Sequence, residues 1–128
     1  MDLDMHKILG LRTVVYKVDD LTKGKEWYSK AFDQKPYFDE PFYVGFNIGG
    51  YELGLLPAEE NEKRDSGKAT TYWGVEDIDS SLKVMMNLGA SEYEKPTDVG
   101  DGIMVASVND PWGNKIGLIY NPFFKLAE

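Results

Sequence analysis

The chain has 128 residues, enough for one domain with a packed core. Its 14 Lys and Arg against 22 Asp and Glu leave a net charge of −8, which argues against nucleic-acid and anionic-membrane partners, while 42% hydrophobic and 13% aromatic residues exclude wholesale disorder. Zero cysteines exclude disulfides, iron–sulfur clusters, thiolate zinc sites and a Cys nucleophile.

Residues 1–7 are polar and aperiodic and read as a loose arm, which holds the single histidine, His6. They show no basic start followed by an apolar stretch, and no apolar run nears the roughly 20 residues of a membrane helix, so the expected location is the cytoplasm. Leu11 to Val18 is rich in β-branched and aromatic residues and predicts a strand. Asp20 is a candidate N-cap for a helix with apolar positions at Leu21, Tyr28, Ala31 and Phe32. Strands are expected around Tyr37–Phe38 and over Phe42–Ile48, with Phe38, Phe42 and Phe46 assigned to the core. Gly49–Gly50 reads as a turn, and a further strand runs over Tyr51–Leu56 to Pro57. Residues 58–68 are charged and nearly devoid of apolar side chains, as in a solvated linker.

The pattern then recurs. Thr70–Val75 predicts a strand, Asp77 a cap, and Ile78, Leu82, Met85 and Leu88 a helical face closed by Gly89. Strands follow at Ile103–Val108 and Lys115–Tyr120 around the turn Asp110-Pro111-Trp112-Gly113-Asn114, and 121–128 is a tail whose Phe123-Phe124 suits a sheet edge or a dimer partner. Val18-Asp19-Asp20-Leu21 matches Val75-Glu76-Asp77-Ile78 at an offset of 57, and the segment 50–56 matches 113–119 at an offset of 63. Two matches in the same order indicate an internal duplication. Each unit, 11–57 and 69–120, is a strand, a helix and two or three further strands, and neither can bury both faces of its sheet alone, so the two are expected to pack together in an α+β fold.

A strand running into Val-x-Asp-Leu, then Trp27-Tyr28 within the helix, resembles the first module of the vicinal oxygen chelate superfamily, which holds the glyoxalase, extradiol dioxygenase and bleomycin-resistance proteins. Asp77-Ile78 to Leu88-Gly89-Ala90 resembles the second module's helix, and Asp110-Pro111-Trp112-Gly113-Asn114 its turn before the last strand. The resemblance covers about 11–120 and implies an α+β fold of two tandem βαβββ modules forming a curled mixed sheet around a cup with the helices outside, a homodimer, and a cup that usually holds a divalent metal. Carried over by spacing, the four metal-ligand positions fall on Thr13, Gly54, Thr70 and Gly117, none a usable donor, so no metal and no cofactor are expected. Glu52, two residues before Gly54, shares its inward face but offers only one carboxylate.

Strand alternation puts Thr13, Val15 and Lys17, Glu52, Gly54 and Leu56, Thr70, Tyr72 and Gly74, and Lys115, Gly117 and Ile119 inside the cup. Gly54 and Gly117 are expected to open space there, with Tyr43, Tyr72 and Trp112 as stacking surfaces with polar ends. The expected ligand-binding set is Tyr43, Glu52, Gly54, Tyr72, Trp112 and Gly117. The expected function is metal-independent binding of a flat neutral or cationic small molecule. The alternatives are a metal-free lyase or isomerase with Glu52 as base and Lys115 or Tyr72 as acid beside a carbonyl, a diverged glyoxalase- or dioxygenase-like enzyme, or a dimeric interaction module.

Overall fold

The structure is a computed structural model that describes residue 9 and residues 11–60 and 70–124. The expectations for the N-terminal arm with His6, and for most of the linker, lie outside the described residues. In chain order the elements are β1 (Thr13–Val18), α1 (Leu21–Ala31), β2 (Phe38–Glu40), β3 (Tyr43–Ile48), β4 (Tyr51–Pro57), β5 (Tyr72–Gly74), α2 (Ile78–Asn87), β6 (Ser91–Asp98), β7 (Met104–Asn109) and β8 (Lys115–Tyr120). They form two four-stranded sheets, β1-β4-β3-β2 and β5-β8-β7-β6. In each, the first strand pairs parallel with the last and the others pair antiparallel. This is the expected α+β architecture of two tandem modules, with mixed sheets that close no barrel.

The duplicated Val-x-Asp segment explains how each module turns from strand to helix. Asp20 is extended and accepts a hydrogen bond from the Lys23 amide at 3.1 Å, while Asp77 accepts one from the Ser80 amide at 3.2 Å. Each carboxylate thereby satisfies an orphan donor of a helix N-terminus. Gly24 is needed for a close approach: a Cβ there would lie 2.7 Å from Val18 Cγ2. Alternation then sorts the faces. Tyr16, Val18, Leu53, Leu55, Ile116 and Leu118 are buried on the helix side, while Thr13, Val15 and Lys17 face outward.

Two expectations need correction. Phe46 is buried, but Phe38 and Phe42 are 39% and 63% exposed. They lie at the outer end of the first sheet, where β2 pairs only with β3, so no further layer covers them. The strand β6 was not expected, because seven of its eight positions are exposed and its sequence is largely charged. Its partner β7, not apolar patterning, makes it a strand, and its register shifts on both sides of Glu94.

The modules share one core, joined by side chains from sequence-distant elements. Trp73 Nε1 donates to Tyr16 Oη at 3.0 Å, and Trp27 Nε1 donates to the Leu88 carbonyl at 2.8 Å. Phe32 meets Trp73 edge to face with ring centroids 5.4 Å apart. Burial pushes the Tyr16 hydroxyl up to about 12. A dense set of hydrogen bonds gathers at Asp110, only 4% exposed. Its carboxylate accepts from Tyr28 Oη at 2.6 Å, the Trp112 amide at 2.9 Å, the Asn114 amide at 2.7 Å and Asn114 Nδ2 at 2.8 Å. Asn114 Nδ2 also reaches the Lys17 carbonyl at 2.7 Å. The turn of the second module therefore grips β1 and α1 of the first.

A buried carboxylate with this many donors leaves several of them unsatisfied when it is removed. Asp110→Ala is expected to lower the unfolding free energy in urea by about 3 kcal/mol, and Tyr28→Phe by about 1.5 kcal/mol. A loss below about 1 kcal/mol for Asp110→Ala would show that the turn and the joint hold without the carboxylate.

Candidate functional site

The faces turned away from the helices carry the chemistry. On the first sheet, Thr13 of β1 is the register partner of Glu52 of β4, and Gly45 of β3 that of Gly54. Glu52 Oε1 accepts from Thr13 Oγ1 at 3.1 Å and from Tyr43 Oη at 2.8 Å, and Oε2 accepts from Tyr37 Oη. The glycines make this possible. A Cβ on Gly54 would collide with the Tyr43 phenol, and one on Gly45 would sit 3.2 Å from the Tyr37 ring. The Tyr37 hydroxyl, more than the opposing effect of burial, holds the Glu52 carboxyl below its usual range, with Tyr43 and Thr13 adding to it. Burial first, and Glu52 second, push the Tyr43 hydroxyl up to about 12. An open hollow of about 290 Å³ lies beside this cluster, between Arg12, Thr13, Tyr37, Asn47, Tyr51 and Glu52.

The second sheet carries a counterpart of opposite charge. Lys115 Nζ donates to Thr70 Oγ1 at 3.3 Å, pairs with Glu94 Oε1 at 3.3 Å and lies 4.4 Å from the centre of the Tyr93 ring. Ser107 Oγ donates to the same Glu94 oxygen at 3.0 Å. Tyr72, 42% exposed, lays its ring over Gly117, where a Cβ would come within 2.8 Å of Tyr72 Cδ1.

The four positions at which the resemblance would put metal ligands do not fit a metal. The Thr13 hydroxyl is directed to Glu52, and the Thr70 hydroxyl faces the Lys115 ammonium. Among the described residues no group of three or more His, Asp or Glu is placed to hold an ion.

Of the residues singled out in the sequence, Tyr43, Glu52 and Gly54 come together, as do Tyr72 and Gly117. The expectation that the two glycines open space is corrected: each admits a tyrosine ring of its own module. Glu52 and Lys115 sit in separate hydrogen-bond clusters, and Trp112 is packed edge to face on Trp27 at 6.2 Å, in the joint between modules. Phe123 and Phe124 are exposed and cover no sheet edge of their own chain. Tyr37, Asn47 and Glu94 were not picked out for the site. Alternation from Tyr43 through Gly45 to Asn47 marks their common face, but Tyr37 and Glu94 reach the clusters only through strand pairing.

The model of the Glyoxalase/Bleomycin resistance protein/Dioxygenase superfamily matches residues 10–118. No curated protein matches the chain. Among solved structures, a glyoxalase-related enzyme from Fulvimarina pelagi is similar with a TM-score of 0.77 at 15% identity, over 94% of each chain. The fosfomycin resistance protein FosX of Listeria monocytogenes gives 0.74 at 15% identity, over 91% of this chain and 97% of that one. A lactoylglutathione lyase from Agrobacterium tumefaciens gives 0.70 at 16% identity, over 94% and 100%. At these identities the likeness is one of fold.

Two measurements check the geometry. The folded Glu52 carboxyl lies below its usual 4.5, so its contribution to stability is present above that pH and lost as pH falls through the folded value. The melting temperature of Glu52→Gln should therefore lie below wild type at neutral pH, with the gap closing under acid conditions. A gap independent of pH would show that the hydroxyls do not favour the charged form. Separately, Gly117→Ala meets the Thr71 backbone carbonyl as well as the Tyr72 ring, whereas the nearest atoms to a Cβ at Gly54 belong to the movable Tyr43 side chain. Urea unfolding should show the larger loss, about 1–3 kcal/mol, for Gly117→Ala.

Proposed function

The chain belongs to the Glyoxalase/Bleomycin resistance protein/Dioxygenase superfamily, and from that premise we propose that it is a metal-independent protein whose cup binds a flat neutral or cationic small molecule. The observation that carries this reading is the hollow beside Glu52, lined by Tyr37, Tyr51 and Arg12 and by the hydroxyl-bound Glu52 carboxylate. Aromatic walls supply area and weak cation affinity, and the carboxylate supplies an acceptor for a donor on the ligand. Burying about 150 Å² of ligand at roughly 25 cal/mol per Å² gives about 4 kcal/mol before ordering costs. A few hydrogen bonds then bring affinity to the micromolar range.

The proposal includes a homodimer in which a second copy helps close the cup. Val15 of β1 and Tyr72 of β5 are exposed, as is Tyr37 just before β2, and β2 and β6 are outer strands of their sheets. Both features invite a partner.

Solved structures of this fold include a protein named as a lyase and one named for fosfomycin resistance, so catalysis is the second reading. It is the weaker one for this chain. A Glu52 carboxyl held low is a poor base at neutral pH, and Lys115 is engaged with Thr70 and Glu94 rather than with Glu52.

The test is a thermal-shift screen of flat neutral and cationic aromatics, with native mass spectrometry of the purified protein. The expected results are twice the 14.5 kDa chain mass, no stoichiometric zinc, nickel or iron, and a stabilising compound whose effect disappears in Glu52→Ala. An equal shift in Glu52→Ala would move the site elsewhere. Turnover of a carbonyl compound that is lost in Glu52→Gln would favour the enzyme reading.

A further inference from the structure

Part of the hollow beside Glu52 has a fixed hydrogen-bonding sense. Glu52 Oε1 accepts from Thr13 and Tyr43, and Oε2 accepts from Tyr37. An ionised carboxylate can only accept, so each hydroxyl spends its single proton on Glu52 and keeps only lone pairs for anything else. A carboxylate has about four acceptor positions, so one remains, on Oε2. Thr13 and Tyr37 line the hollow together with Glu52. This part of its wall therefore accepts hydrogen bonds and donates none.

Arg12 and Asn47 line the same hollow and supply the opposite sense. The Glu52 amide donates to the Arg12 carbonyl at 2.9 Å, so the two residues are neighbours where the β1–β4 pairing begins. Arg12 Nη1 donates to the Leu9 and Leu11 carbonyls, each at 3.2 Å, which leaves the three N–H groups of Nε and Nη2. Among the described residues no carboxylate forms an ion pair with Arg12, Glu52 included. Asn47 Oδ1 accepts from the Gly50 amide at 2.8 Å, leaving both Nδ2 hydrogens to donate.

We propose that the occupant of this hollow is an uncharged molecule with an amide-like edge, giving N–H groups to the Glu52 side and a carbonyl-type acceptor to Arg12. This rests on the reading of the hollow as a small-molecule site and narrows it to neutral donor–acceptor ligands. At about 290 Å³ the hollow is at the small end of such sites, roughly 300–1,000 Å³, so a ligand that fills it meets both parts of the wall. Charge decides against simpler ligands. One carboxylate and one guanidinium share the hollow, so a cation loses beside Arg12 what it gains at Glu52. An anion meets the reverse, with the chain's net charge of −8 also against it. A neutral ligand that only accepts leaves Glu52, Thr13 and Tyr37 facing it without a donor, and unpaired polar groups are what a recognition site penalises most. An amide edge satisfies both parts.

The experiment uses four flat probes of nearly one shape: benzamide, which donates and accepts; benzamidinium, a cation that only donates; benzoate, an anion that only accepts; and acetophenone, neutral and accepting only. Isothermal calorimetry on the full chain is expected to show benzamide binding about tenfold more tightly than each of the others, the factor that one charge-assisted hydrogen bond supplies. Arg12→Met should weaken benzamide about tenfold and strengthen benzamidinium, which no longer meets a like charge. Glu52→Gln should act in the reverse sense on the ions, weakening benzamidinium and strengthening benzoate. The comparison on the unaltered chain needs no variant and stands even if one fails to fold. If benzamidinium or acetophenone binds as tightly as benzamide, or if Arg12→Met leaves benzamide unchanged, the inference is overturned while the small-molecule reading stands. It is equally overturned if none of the four probes binds while another aromatic compound does. If no aromatic compound of any charge binds, the small-molecule reading falls and the inference falls with it.

Discussion

The buried carboxylate of Asp110 is the contact on which the arrangement of the two modules depends. It sits in a turn of the second module, yet one of its donors, Tyr28, comes from the helix of the first. Its other donors are the Trp112 amide and both the amide and the side chain of Asn114. A charge held this far from water is tolerable only when its lone pairs are filled, and here neighbouring backbone and side chains fill them. The same Asn114 reaches the backbone of β1, so the turn is locked to a strand as well as to a helix. Around it, Trp27, Phe32, Trp73 and Trp112 form ring contacts that fix the angle at which the modules meet.

With the helix faces committed to that joint, the opposite faces of both sheets remain for function. Their chemistry follows from glycines in an unusual use. Gly45, Gly54 and Gly117 leave space that tyrosine rings of the same module enter, turning each vacated position into an aromatic surface. In the first module the phenols continue to Glu52 and hold it as a charged acceptor. In the second module the ring lies over Gly117 without reaching the charged residue, and Lys115 finds Thr70, Glu94 and Tyr93 instead. The two faces differ in more than Glu52 against Lys115: the tyrosine over Gly54 comes from β3 and the one over Gly117 from β5, and Gly45 faces Gly54 where Ser107 faces Gly117.

Much of this was legible in the sequence because it is encoded locally. The repeat, the aspartate caps at Asp20 and Asp77, and the alternation of β1, β4 and β8 depend on residues within a few positions of one another. Those features determined the α+β class, the two modules, and the face on which Thr13, Glu52, Gly54, Lys115 and Gly117 lie. Tertiary structure alone decided what lies over those positions. Tyr37 meets Glu52 across 15 residues, and Tyr28 meets Asp110 across 82. Such pairs are set by strand register and by the docking of modules, which no local periodicity encodes. The same holds for Phe38 and Phe42, apolar yet exposed, and for the charged strand β6, which exists because β7 offers it a hydrogen-bonding edge. Trp112 completes the contrast: its composition suits a ligand, but the fold of the turn around Asp110 carries it into the joint.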